Sequence, residues 1–149
     1  MKNDILKKVY SIIPPDSLHY IEGEDHRTLL SEEEIDSLHI SVWDIYAQSR
    51  FDDDERKMTQ RFAEVVEGRV PLTTCGKIWE REDIEEAYFQ GADLIAVGKV
   101  GIALPDWPKM IFSHEEIARP PFTKQHLRDV ALSEVFVDYM CNYDNFVAQ

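Results

Sequence analysis

The spacing of apolar residues predicts a core of three β-strands that alternate with helices. Residues 38–42 and 70–75 are short β-rich runs, and residues 94–97 form a continuous apolar run that is typical of a strand buried on both faces. The connections between these elements are short. The order β-α-β-α-β therefore predicts an α/β fold with parallel strands and right-handed crossovers.

Each of the two helices within this core has a predicted apolar face. In the first, the apolar positions recur at i, i+4, i+7 and i+8: Met58, Phe62, Val65 and Val66. Asp52, Asp53 and Asp54 are its predicted N-terminal cap, and Gly68 is its predicted end. The buried face of the second helix is predicted to consist of Ile84, Ala87 and Tyr88, and Gly91 ends it.

The segments that flank this core are less regular. Residues 1–37 contain helical spacing from Ile5 to Ile13, strand character at 18–21 and a helix-like start at 31–34. After the core, a short helix over 100–104 and a turn at 105–108 are followed by two helices that Thr123 and Ser133 can cap. We predict a single domain over 1–149, with the βαβαβ core at 38–104 and a C-terminal helical extension at 105–149.

Composition and charge exclude several classes of partner. The chain has 149 residues, 44% of them hydrophobic, and a formal net charge of −13, which argues against nucleic acid and against an acidic membrane surface. No apolar run is long enough to span a membrane, and residues 1–4 do not resemble the start of a signal peptide. Two cysteines are too few for a disulfide framework, so a cytoplasmic location is expected.

The most informative feature is a Gly-Lys pair after each of the last two predicted strands. Gly76-Lys77 follows the run at 70–75, and Gly98-Lys99 follows the run at 94–97. Neighbouring parallel strands that end in this way bring backbone N–H groups and two cations to one edge of a sheet, which suits a phosphate. The alternative is that both glycines only permit tight turns and both lysines are solvated. Sequence spacing leaves both interpretations open.

Other candidate chemistry has a simpler explanation. Cys75 stands at a strand end next to two lysines that would favour a thiolate, but no base partner is evident, and a small space-filling residue suffices. The acids at 52–54 are explained by the helix dipole. The five histidines show no metal-ligand spacing, and His39 is expected on the strand face opposite to Leu38 and Ile40. Trp107 is expected to be a packing anchor. We therefore predict no metal site and assign no catalytic residue.

Several runs of residues together resemble the C-terminal end of the old yellow enzyme family, which consists of FMN-dependent NAD(P)H:flavin oxidoreductases on a β/α barrel. The runs are LHIS at 38–41, which resembles the sixth strand of that family, VPLTTCGKI at 70–78, EDIEEA at 82–87, GADLIAVGK at 91–99, LPDWP at 104–108, and the segment 121–147. The resemblance covers residues 35–149. It implies a partial (β/α)8 TIM barrel, namely the C-terminal half with strands six to eight.

The resemblance also implies a cofactor site. Gly76, Lys77, Gly98 and Lys99 match the positions where the family holds the FMN phosphate, and NADH or NADPH would be the reductant for a small-molecule electron acceptor. Two departures stand out. The family usually has arginine at the position of Lys99 and often a second glycine at that of Lys77. Lysine keeps the charge but lacks the planar two-pronged fork of arginine, so a weaker grip on phosphate is expected.

The family's first half-barrel, which carries its flavin-ring and substrate residues, has no counterpart here. Within residues 1–37, His26-Arg27 with Ser31-Glu32-Glu33 faintly resembles the fifth-strand arginine of the family and the turn that follows it. An open half-barrel has exposed strand edges, so we expect a homo-oligomer or pairing with a separate N-terminal half. Two further functions stay open: a non-catalytic remnant or assembly subunit of such a barrel, and another phosphate-binding TIM-barrel enzyme.

Overall fold

The computed structural model describes residues 36–48 and 55–148, which form two compact units. The first unit contains the described residues up to Ile78 together with Glu82–Ala96, and the second contains Trp79–Arg81 together with the described residues from Val97 onward. The elements predicted within residues 1–34, including the segment around Arg27, lie outside the described residues. The acidic triplet at 52–54 also lies outside them.

The first unit is built on a parallel sheet that alternates with helices along the chain. Its elements are β1 (Leu38–Ser41), α1 (Met58–Val66), β2 (Leu72–Cys75), α2 (Arg81–Phe89, whose first residue belongs to the second unit) and β3 (Leu94–Ile95). The sheet has the order β1-β2-β3 and both pairings are parallel. The predicted α/β class with parallel strands is thus confirmed.

The core of this unit lies between α1 and the strands. Its buried members are Ile40, Phe62, Val66, Val70 and Leu72, and Met58 and Val65 pack against them, as the helical spacing predicts. A hydrogen bond between the buried hydroxyls of Thr59 and Thr74, 2.9 Å long, joins α1 to β2. His39 is exposed while Ile40 is buried, which confirms that they occupy opposite strand faces.

Local hydrogen bonds set the ends of α1. Lys57 is the N-cap residue, and its N–H donates to the side chain of Gln60 at 3.0 Å. The helix therefore begins later than a cap at Asp52–Asp54 would place it. At the other end, Glu67 and Gly68 have φ values of 53° and 65°, and the Arg69 guanidinium donates to the carbonyls of Val65 and Val66. These donors satisfy carbonyls that the helix itself leaves unpaired.

Two predictions about burial are wrong. Leu94 is 54% exposed and β3 contains only Leu94–Ile95, because this strand lies at the edge of the sheet and pairs with β2 alone. Tyr88 is 51% exposed, because the inward positions are taken by Ala87 in α2 and by Gln90, the first residue after this helix. The predicted end of α2 at Gly91 is confirmed by its φ of 95°.

The second unit contains four short helices among its described residues. These are α3 (Lys99–Ala103), α4 (Trp107–Phe112), α5 (Lys124–Asp129) and α6 (Glu134–Met140). The side chains of Thr123 and Ser133 accept hydrogen bonds from the N–H groups of His126 and Phe136, so both predicted caps are confirmed. In the described part of the chain, no helix has the length and apolar character needed to cross a membrane.

Aromatic side chains form part of the core of the second unit. Trp107 is buried and its indole N–H donates to the carbonyl of Trp79 at 2.7 Å, which confirms its role as a packing anchor. The ring of Phe122 stacks on Trp79 with centroids 6.3 Å apart and meets Phe146 edge-on at 5.7 Å. Hydrogen bonds from the N–H of Phe122 to Phe146 and from the N–H of Ala148 to Phe122 hold the C-terminal segment in place.

Candidate functional site

Gly76-Lys77 forms a left-handed turn directly after β2. The φ values are 132° at Gly76 and 54° at Lys77. A Cβ atom at Gly76 would lie 2.5 Å from the carbonyl oxygen of Val42 and 3.0 Å from the backbone nitrogen of Asp44. The space beside this glycine is therefore filled by the segment that follows β1, and the missing side chain permits this close approach of two backbone segments.

The Lys77 ammonium group is held by an acidic neighbour. Its Nζ lies 2.8 Å from Oδ2 of Asp44, and the other carboxylate oxygen accepts the N–H of Tyr46 at 2.9 Å. The hydrogen bond from Lys77, followed by that from Tyr46, keeps the pKa of Asp44 below its ordinary value. The lysine side chain is 62% exposed and Asp44 is 24% exposed, so the ammonium remains open to solvent on its other sides.

A second polar cluster includes Tyr46, which lies two residues after Asp44. The Tyr46 hydroxyl donates to Asp83 at 2.8 Å, and burial together with this bond raises the pKa of Tyr46 to about 12. Lys57 Nζ lies 2.5 Å from Glu86 Oε1 and keeps the pKa of Glu86 below its ordinary value. The Gln90 side chain donates to Glu86 and to the carbonyl of Ile45, at 2.8 and 2.9 Å. These contacts tie the segment after β1 to α2.

Cys75 packs against β1. Its Sγ lies 3.6 Å from Ser41 Oγ and 3.8 Å from the carbonyl oxygen of Ile40. These neighbours are polar groups of an adjacent strand, and neither is a general base. The contacts favour the space-filling interpretation, and no catalytic role is assigned to this thiol.

Gly98-Lys99 opens α3 in the second unit. Gly98 is the N-cap residue with a φ of −111°, and its carbonyl accepts the N–H of Ile102 at 3.1 Å. Apart from its chain neighbours and the backbone of α3, no heavy atom of the described residues lies within 4 Å of the position that a Cβ atom would take on Gly98. The Lys99 ammonium lies over the rings of Tyr143 and Phe146, at 4.7 and 5.9 Å from their centroids. This is a cation–π arrangement.

The donors of these two segments fit a phosphate chemically. Lys77 and Lys99 each supply an ammonium group, and the first-turn N–H groups that follow Gly98 have no acceptor within their own helix. Across residues 36–48 and 55–148, no three His, Cys, Asp or Glu side chains converge as they would around a metal ion. Ammonium and backbone N–H groups are donors of the kind that bind anions.

Sequence reasoning missed the acidic partner of Lys77. Asp44 lies 33 residues earlier in the chain, in the loop after β1. The strand order was the signal that could have found it. Loops that follow neighbouring parallel strands emerge at the same edge of a sheet, so a charged side chain in the loop after β1 can reach one in the loop after β2. Tyr46 and Lys57 were missed for the same reason.

Comparisons with known proteins add no relative. No protein-family model matches the chain, and no curated protein matches it significantly.

Proposed function

We propose that this chain binds FMN by its phosphate group, as the C-terminal part of a (β/α)8-barrel flavin oxidoreductase. The observation that carries the proposal is a Gly-Lys pair after each of two hydrogen-bonded parallel strands, β2 and β3. Ligands of parallel α/β sheets bind at the carboxyl ends of the strands, and phosphate sites of β/α barrels follow the last two. The sequence resemblance supplies the identity of the ligand.

In this proposal the four residues act on the phosphate and not on the reacting ring. The ammonium groups of Lys77 and Lys99 offset its negative charge, and backbone N–H groups at Gly76 and Gly98 orient it. Bound FMN supplies hydride transfer between NADH or NADPH and a small electron acceptor. The contribution of the chain is to hold and orient the cofactor at its phosphate end.

Titration with flavins tests the proposal. We expect FMN to bind the purified chain with a change in flavin fluorescence, and riboflavin, which lacks the phosphate, to bind more weakly. Lys77→Gln and Lys99→Gln should each weaken FMN binding, whereas Lys109→Gln should not, because Lys109 pairs with Asp106 at the start of α4. Equal binding of FMN and riboflavin, or no binding of either, would contradict the proposal.

We also propose that the chain functions as an assembly, either with a second copy or with a separate N-terminal half-barrel. Both β1 and β3 are edge strands of the described sheet, and Leu94 on β3 is largely exposed. Unpaired strand edges and exposed apolar side chains favour association. Light scattering after size-exclusion chromatography should give a mass above 17.4 kDa at micromolar concentration. A stable species of the monomer mass would contradict this proposal.

The same protein preparation separates the alternatives. NADH oxidation by the FMN-loaded chain would support the oxidoreductase, and tight FMN binding without turnover would support a non-catalytic remnant or assembly subunit. Thermal stabilisation by sugar phosphates but not by FMN would instead support another phosphate-binding barrel.

A further inference from the structure

The Asp44 carboxylate already accepts a hydrogen bond from Lys77, one of the two lysines assigned to an anionic ligand. We infer that Asp44 is an internal competitor that sets the affinity of Lys77 for a phosphate. The inference rests on the proposed function because it concerns one of the residues assigned to the FMN phosphate. It adds a residue that controls affinity without belonging to the Gly-Lys pairs.

Backbone contacts fix Asp44 in this position. The N–H of Ile45 donates to the carbonyl of Gly76 at 3.2 Å, and Ile45 itself is fully buried. The close approach at Gly76 brings the backbone of Val42 and Asp44 against the same turn. The side chain of Gln90 holds the carbonyl of Ile45 from α2. The carboxylate is therefore positioned by two neighbouring elements, not by a flexible side chain alone.

The carboxylate itself is oriented within its own loop. Oδ1 accepts the N–H of Tyr46 at 2.9 Å while Oδ2 faces Lys77 Nζ at 2.8 Å. An ammonium group has three donors, so the contact with Asp44 leaves donors for a second acceptor. A phosphate that used them would stand close to a fixed negative charge, and repulsion between like charges would oppose its binding.

Asp106, which also pairs with a lysine, can serve as a control for Asp44. Lys109 also pairs with a carboxylate, that of Asp106, at 2.7 Å, and both side chains are exposed. Asp44→Asn and Asp106→Asn each remove one negative charge beside a lysine. Asparagine at position 44 can still accept the N–H of Tyr46 through its carbonyl oxygen, so the loop keeps its internal hydrogen bond.

The test compares FMN, riboflavin and inorganic phosphate on the wild-type chain and on four variants, which are Asp44→Asn, Lys77→Gln, Asp44→Asn/Lys77→Gln and Asp106→Asn. We expect Asp44→Asn to tighten FMN binding by roughly three- to tenfold, with no change for riboflavin. The effect should vanish in the double variant Asp44→Asn/Lys77→Gln and should be absent in Asp106→Asn. Circular dichroism checks folding, and Asp44→Ser, which also retains an acceptor for Tyr46, replaces the asparagine variant if that one does not fold.

A readout on Lys77 itself separates this inference from the proposed function. Competitive acetylation followed by mass spectrometry reports how accessible the Lys77 amine is. Inorganic phosphate should protect Lys77 more strongly in Asp44→Asn than in the wild type. If the wild type binds FMN and Asp44→Asn binds it equally or more weakly, the inference is wrong and the proposed function stands. If no variant binds FMN, the proposed function fails, and the acetylation result alone then decides the inference.

Discussion

Gly76→Ala is expected to destabilise the chain because the turn after β2 has no room for a side chain. The φ of 132° lies in a region that residues with a Cβ rarely adopt, and the new methyl group would lie 2.5 Å from the carbonyl oxygen of Val42. Backbone strain of this kind costs about 1–3 kcal/mol. Overpacking adds about 1–3 kcal/mol, so we expect a total loss of about 2–6 kcal/mol.

Gly68→Ala is the matched control. Gly68 has a φ of 65°, and within the described ranges no heavy atom other than those of its chain neighbours lies within 4 Å of the position that its Cβ would take. This substitution adds left-handed strain without a steric clash, and the smaller entropy of the unfolded alanine chain offsets part of that cost. We expect a loss of about 1 kcal/mol.

Urea unfolding followed by far-UV circular dichroism measures both losses. The midpoint should fall much further for Gly76→Ala than for Gly68→Ala, with similar slopes, because the surface exposed on unfolding is nearly the same. If the two variants were equally stable, the backbone of Val42 and Asp44 would be able to move away from a side chain at position 76. A glycine would then not be required at this position.

Three further predictions concern other parts of the fold. Thr59→Val and Thr74→Val should each cost about 1–3 kcal/mol, and the double variant should be nearly neutral, in a double-mutant cycle of urea unfolding; additive losses would contradict the pairing of the hydroxyls. The hydrogen bond from Lys57 holds the pKa of Glu86 below its ordinary value, so the stabilising effect of Glu86 is present above that ordinary value and is lost as the pH falls through the lowered one. Glu86→Gln should therefore weaken the acid dependence of the unfolding midpoint, and an unchanged dependence would refute this. Gly101 lies inside α3, and a Cβ atom there would make an ordinary contact with Val97. Gly101→Ala should therefore raise the free energy of unfolding by about 0.5–1 kcal/mol, and with it the urea midpoint, whereas a lower midpoint would indicate a clash.

Elements with local signals could be predicted from the sequence. The buried face of α1 follows from the spacing of Met58, Phe62 and Val66, which depends only on helical geometry. The caps at Thr123 and Ser133 likewise depend on a side chain and an N–H group three residues away. The parallel order of the strands follows from the short connections between alternating elements.

Features that depend on distant partners could not be predicted in the same way. An apolar run such as residues 94–97 predicts a buried strand only if neighbours cover it, and β3 has a strand on one side alone. The exposure of Tyr88 depends on which positions of α2 face the sheet. Gln90 is polar but buried, and its side-chain N–H groups donate to the carbonyl of Ile45 and to Glu86. The pairing of Lys77 with Asp44 joins two loops that are far apart in sequence.

The two Gly-Lys pairs look equivalent in sequence but differ physically. At Gly76 the space for a side chain is filled by the chain itself, and the Asp44 carboxylate paired with Lys77 would repel a phosphate that binds the same ammonium group. At Gly98 none of the other described residues fills the corresponding space, and Lys99 lies over two aromatic rings, whose attraction for a cation is about 0.5–1 kcal/mol at exposed sites. The net gain from a phosphate contact is therefore larger at Lys99. In the flavin titration Lys99→Gln should weaken FMN binding more than Lys77→Gln, and the opposite order would mean that Asp44 does not restrain Lys77.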